Sequence, residues 1–228
     1  MTSNKGLYSK WRICGNISPA FGFNFGTKVI PGKGYDTGLG SIEYWYYTNP
    51  KEKSKLGYQI AIEVVSKSFF RNKLTLRIGV GVDGFYYKGT ATTVVGFIQS
   101  WGPPPTYTFI THPDSYKYYY KDHFLNICVI PQFNFHQTNK VLYYYFLGPS
   151  FAELIKEEFI INEGTGNQSY HDIYNYRATA FGITGLGSTI KITKGLNFDA
   201  QLRFNYQIFT APMGRRFASA GLKVGFMF

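Results

Sequence analysis

The residues of this chain best suited to chemistry are four histidines, two cysteines and the run Ser169-Tyr170-His171-Asp172. His112, His123, His136 and His171 lack zinc-ligand spacing, and no carboxylate cluster surrounds them. Cys14 and Cys128 form no Cys-x-x-Cys and so no metal or redox motif. Both fall in strand patterns, where small buried thiols are common, although a single bond between them is compatible with the sequence. The Ser-Tyr-His-Asp run is the only hint of a lipid-modifying hydrolase. Immediate neighbours rarely achieve the geometry of nucleophile, base and orienting group, so no catalytic residue is expected. Gly79-Val80-Gly81-Val82-Asp83-Gly84 has the look of a nucleotide loop. It lies inside an alternating strand with no helix after it, which removes the phosphate-binding context. The chain is therefore read as non-enzymatic, with no cofactor and no metal.

A second set of residues matters more: Arg12, Glu63, Arg77, Asp83, Asp199, Arg203 and Lys223, each on the polar side of an alternating segment. The clearest segment places Leu196, Phe198, Ala200, Leu202, Phe204, Tyr206 and Ile208 on one face. Asn197, Asp199, Gln201, Arg203, Asn205 and Gln207 take the other. A period of two makes a strand with one apolar and one polar side. Its length matches the roughly 9–11 residues that a tilted strand needs to cross a membrane. The pattern recurs over 10–26, 57–70, 73–88, 123–136, 141–152, 177–193 and 218–228, which makes eight strands. Only Phe151–Glu158 looks locally helical. In a ring of eight strands the interior is just wide enough for side chains to fill. The seven charged residues should then pair across a solid polar lumen, because unpaired buried charges are costly.

Composition agrees. Aromatics make up 19% of the chain, which suits strands and the aromatic girdles of a membrane barrel. No apolar stretch approaches the ~18 residues of a transmembrane helix. The net charge of +11 invites a nucleic-acid reading. The basic residues, however, are scattered over turns and alternating positions rather than gathered in a stripe, so lipid head groups are the expected partners and nucleic acid is not. Residues 1–6 carry no apolar signal core, and the chain is read as a mature form whose signal has been removed.

The joins alternate in length. Turns at 70–73, 137–140 and 194–197 are short and polar, whereas long connections near 27–56, 89–122 and 157–175 are read as extracellular loops. The segment Asp36–Thr48 could be another strand. Nine spanning strands would break the parity, so it is placed as a hairpin in the first loop, with ten strands as the alternative. Trp101, Tyr107, Tyr118, Tyr119 and Tyr120 fall in the second loop and are read as a contact surface. The closing strand ends in Phe226 and Phe228, the type of terminus that serves as an assembly signal in outer-membrane proteins.

Several runs carry a family resemblance. Gly57-Tyr58-Gln59-Ile60-Ala61, the segment from Phe69-Phe70-Arg71-Asn72-Lys73 to Gly79, and Tyr87-Lys88-Gly89 resemble the PorT-like outer-membrane β-barrels of Bacteroidota. So do Leu125–Pro131, Phe146-Leu147-Gly148-Pro149-Ser150, Phe181–Gly187 and Lys194–Gln201. The resemblance implies an eight-strand barrel and an association with secretion or envelope machinery. The expectation is thus one domain, 1–228, forming an eight-stranded antiparallel transmembrane β-barrel in a Gram-negative outer membrane. Its expected role is a scaffold or accessory subunit that binds a protein partner through its loops. A small pore or ligand carrier is the alternative, followed by a lipid-modifying outer-membrane hydrolase.

Overall fold

The computed structural model describes residues 10–25, 29–36, 41–48, 53–100, 106–162, 167–171, 178–208 and 216–228. They form β1 (Arg12–Phe25), β2 (Val29–Asp36), β3 (Ser41–Thr48), β4 (Lys53–Val65), β5 (Leu74–Ser100) and β6 (Thr106–Gln137). β7 (Val141–Asn162), β8 (Asn167–His171), β9 (Ala178–Lys191), β10 (Asn197–Gln207) and β11 (Arg216–Met227) follow. Eight of them close a ring in the order β1-β4-β5-β6-β7-β9-β10-β11, every neighbouring pair antiparallel, with β1 hydrogen-bonded to both β4 and β11. The last residue completes the seam: Phe228 N donates to Ile13 O at 2.9 Å, and Ile13 N donates back to Phe228 O at 3.3 Å.

The apolar rows face outward. On β10, Leu202 is 46% exposed while its neighbour Arg203 is 5% exposed. The same inversion of a soluble protein holds around the wall, with Trp11, Ile13 and Ile17 on β1 and Ile60, Ile62 and Val64 on β4 all turned out. Such a surface is stable only against lipid. At the periplasmic end the β4–β5 turn holds Phe70, Arg71 and Asn72 at φ of 47°, 57° and 70°. This left-handed turn is tied to the neighbouring strand β6, where Asn134 Nδ2 donates to Asn72 O at 2.8 Å.

The long connections differ from the sequence expectation. The segment 89–122 is not a loop. β5 runs 27 residues and β6 runs 32, paired nearly to their common tip. The segment 157–175 contains the end of β7 and the paired strand β8. Within 27–56, β2 and β3 form the anticipated hairpin, but β3 also joins the upper part of β5. Phe151–Glu158 is strand, not helix. The cause is common to all four. Tertiary pairing with a neighbouring strand satisfies the backbone, and that outweighs local propensity. A sheet in the order β2-β3-β5-β6-β7-β8 therefore stands on one side of the barrel and extends beyond it.

Candidate functional site: the filled lumen

Arg77 on β5 is the hub of the periplasmic half of the lumen. Its guanidinium reaches β10, diametrically opposite in the ring. Nη1 donates to Asp199 Oδ2 at 3.0 Å and Nη2 to Asp199 Oδ1 at 2.9 Å, a bidentate fork. Nη1 also donates to Glu63 Oε2 at 3.0 Å, Nη2 to Tyr144 OH at 3.1 Å and Nε to Gln132 Oε1 at 2.5 Å. Asp199 accepts further bonds from Tyr144 OH at 2.8 Å, Thr189 Oγ1 at 2.7 Å and Gln201 Nε2 at 2.7 Å. Glu63 is bonded by Lys223 Nζ and has Arg203 Nη1 at 3.8 Å. Charges buried this deeply persist only when their remaining hydrogen-bonding capacity is also met, and here it is.

Two glycines make room for this layer. Gly79 lies directly opposite Glu63, and a Cβ there would come within 2.7 Å of Glu63 Cγ. Gly187 lies opposite Tyr144, whose ring occupies the place of the missing side chain, 2.4 Å from an added Cβ. The glycine run on β5 thus serves close packing within a strand.

Five of the seven expected lumen charges, Glu63, Arg77, Asp199, Arg203 and Lys223, come together in this cluster. Asp83 sits higher, bonded by Gln59 Nε2 at 3.2 Å. Arg12 stands apart at the periplasmic end. There the Asn197 amide, in its hydrogen-bonding orientation, accepts from Arg12 Nη1 at 3.1 Å. The cysteines are both free and both buried.

The sequence reading missed Tyr144 and Thr189. Tyr144 hides in Leu142-Tyr143-Tyr144-Tyr145-Phe146, where both faces are apolar or aromatic and the period of two has no contrast to show it.

The extracellular half of the lumen is a correction to the expected polar core. It is filled by Phe85, Tyr87, Tyr118, Tyr120, Phe124, Phe181 and Phe217. Phe217 is central, with ring centroids 4.5 Å from Phe85, 5.7 Å from Phe181 and 6.1 Å from Tyr87. Tyr118 and Tyr120 therefore do not belong to a contact surface. They are 1% and 3% exposed, turned inward by the strand alternation of β6, whereas Tyr119 between them is outside and 50% exposed. Tyr107 lies on β6 with its side chain outside the described residues, as is Trp101 altogether. Phe226 and Phe228 face lipid, at 49% and 67% exposure. Ser169 and His171 lie on β8, opposite Ile160 and Glu158.

The arrangement is a plug of matched charges below and interlocked rings above, enclosed by an apolar wall. Among solved structures the chain is similar to Neisserial surface protein A, at 12% identity over 95% of each chain and a TM-score of 0.41. It is also similar to OprG of Pseudomonas aeruginosa, at 10% identity over 98% of this chain and 97% of that one, with a TM-score of 0.47. The outer membrane protease OmpT of Escherichia coli shares 8% identity over 100% and 99%, also at 0.47. At such distances these likenesses carry nothing about function. No curated protein matches the sequence. The profile described as "Outer membrane protein beta-barrel domain" matches residues 15–211, most of the chain and all but the closing strand of the wall. With its lipid-facing exterior and closed ring of eight strands, the chain belongs to this family of outer-membrane β-barrels of Gram-negative bacteria.

Proposed function

We propose that the protein is a non-enzymatic docking subunit of an envelope or secretion complex, akin to the PorT-like barrels of Bacteroidota that its strand motifs resemble. The protruding sheet is the surface that meets a protein partner. The observation that carries this reading is the length of the β5–β6 hairpin. A membrane strand needs about 9–11 residues, and the part of β5 above Tyr87 adds about 40 Å of paired strand at the usual rise per residue. β3 and β7 flank it, with β2 and β8 beyond them. Backbone pairing preorganises such a surface, so a partner does not have to order a free loop on binding. The outer edge on the β2 side carries Pro31 and a register shift between Pro31 and Gly34, both of which hinder addition of another strand. The partner therefore meets a face of the sheet rather than its edge.

The filled lumen supports this reading over a pore or ligand carrier, because buried side chains pack both of its halves. Steady large currents in planar bilayers would instead favour the pore. The docking role is tested by joining Thr92 to Ser115 through an Asn-Gly turn, which removes the hairpin tip and keeps the paired register below it. Wild type and the shortened chain are cross-linked in native outer membranes, purified in mild detergent and analysed by mass spectrometry. A protein partner recovered with the wild type and lost from a heat-modifiable, folded short chain is the expected result. A solitary wild-type barrel, or a partner retained by the short chain, would overturn it.

A further inference from the structure

The outer wall carries a feature that neither the lumen nor the docking role uses. On β4 the apolar exterior ends at Leu56, and Lys55 and Lys53 follow it upward, both exposed. On β5 the exterior passes from Val80 and Val82 to Tyr86 and Lys88, and on β6 from Leu125 to His123, Lys121, Tyr119 and Lys117. The register sets these side by side. Lys53 lies directly opposite Lys88, and Lys88 opposite Tyr119. One row lower, Lys55 lies opposite Tyr86, Tyr86 opposite Lys121, and Lys121 opposite Glu158. Lys156 lies opposite His123.

The charges on this rim are not balanced. Glu158 serves both Lys156, at 2.7 Å, and Lys121, at 3.3 Å. The hydrogen bond from Lys156 holds its carboxyl below the usual carboxylate range, so it remains ionised and occupied. Glu153, exposed further down β7, has no cation paired with it among the described residues. Among the described residues no carboxylate pairs with Lys53, Lys55, Lys88 or Lys117. Like charges directly opposite each other across antiparallel strands are unfavourable, and among the described residues the Lys53–Lys88 pair has no internal counter-ion to relieve it.

Below the lysines is an aromatic shelf. Tyr58 OH and His123 Nδ1 are 3.2 Å apart, Tyr86 stands 5.8 Å from the His123 ring, and Tyr58 and Tyr86 meet edge to face at 6.3 Å. Among the side chains described, the far wall has no such arrangement. At the corresponding height β1, β10 and β11 present Phe23, Tyr206, Ile208 and Ala218. We infer that the β4–β7 rim is a binding site for one phosphorylated glycolipid of the outer leaflet. The paired lysines hold its phosphates, Tyr86 and Tyr119 lie against its sugar, and its acyl chains run down Leu56, Val82 and Leu125. Height decides the occupant: phosphates at the lipid–water boundary sit where the apolar wall gives way to ammonium groups, and tyrosines favour that same boundary.

The test is native mass spectrometry of the full chain in detergent with bis-phosphorylated lipid A, phosphate-free lipid A and inorganic phosphate. The double variant Lys53→Gln/Lys88→Gln is compared with Lys73→Gln/Lys194→Gln, which removes the same charge at the periplasmic turns. All four positions are exposed or half-exposed, and heat-modifiable migration reports that each variant is folded. The expected result is stoichiometric retention of the phosphorylated lipid by wild type and the turn variant, with roughly tenfold or greater weakening in the rim variant. Phosphate-free lipid should bind weakly, and inorganic phosphate should not displace the lipid. Equal retention by the rim variant, or equal loss in the turn variant, would overturn the site. So would equal binding of phosphate-free lipid, or displacement by inorganic phosphate, which would mark a simple anion site.

Discussion

The two halves of the lumen fill the same cylinder by opposite means. The periplasmic half joins Arg77, Glu63, Asp199, Lys223 and Tyr144 through directional bonds that link strands on opposite sides of the ring. The extracellular half stacks Phe85, Phe124, Phe181 and Phe217 ring on ring, with the carboxylates of Asp122 on β6 and Glu157 on β7 buried at the same level. Directional bonds punish a small slip in register, since each lost bond strands a buried charge. Ring packing tolerates small shifts and contributes by area and shape. The difference suggests a division of labour in which the ionic layer sets how the ring closes and the aromatic layer seals the mouth beneath the protruding sheet.

The sharpest way to break this comparison is Arg77→Ala. It strips Asp199 of its bidentate partner and Glu63 of one of its cations, and a loss of about 4 kcal/mol is expected, in the range for breaking a buried pair. Urea unfolding in lipid vesicles, followed by heat-modifiable migration, measures it, and a loss below ~1 kcal/mol would reduce the ionic layer to mere filling. Phe217→Ala tests the other half. Removing the central ring should cost about 3 kcal/mol by cavity formation while leaving the register of the lower strands intact by amide exchange. Altered exchange on β10 and β4 would show that the aromatic layer also governs closure. Gly187→Ala probes the boundary: the added Cβ displaces the Tyr144 ring, weakens its bond to Asp199 and should cost about 2 kcal/mol. The smallest effect is expected outside both layers. Phe70→Gly at the exposed left-handed turn relieves backbone strain, offset by greater chain freedom when unfolded, for a net gain of about 0.5 kcal/mol.

Where one side of a strand is plainly polar, the sequence was legible to the level of single residues. Arg203 inside and Leu202 outside follow from the alternation of β10 alone, and the same holds for Glu63 and Arg77. Legibility failed where both sides carry rings. Tyr118, Tyr119 and Tyr120 read as one exposed cluster, yet alternate inside, outside, inside. It failed again where strand continues past the membrane, because neither 89–122 nor 157–162 has the polar-apolar contrast that marks a spanning segment. Those stretches are strands because a neighbour is there to pair with.

The local period of two, by itself, determined that this chain makes ribbons with a lipid side and an interior side, and that about eight of them cross. A side chain's face depends only on its position along its own strand, so no distant information is needed. Which residues meet is another matter. The contact of Arg77 with Asp199 across the lumen, the aromatic seal around Phe217, and the opposition of Lys53 to Lys88 on the rim each depend on inter-strand register and on closure of the ring. Register is a property of pairs, and closure of the whole set, so only the tertiary structure could decide them.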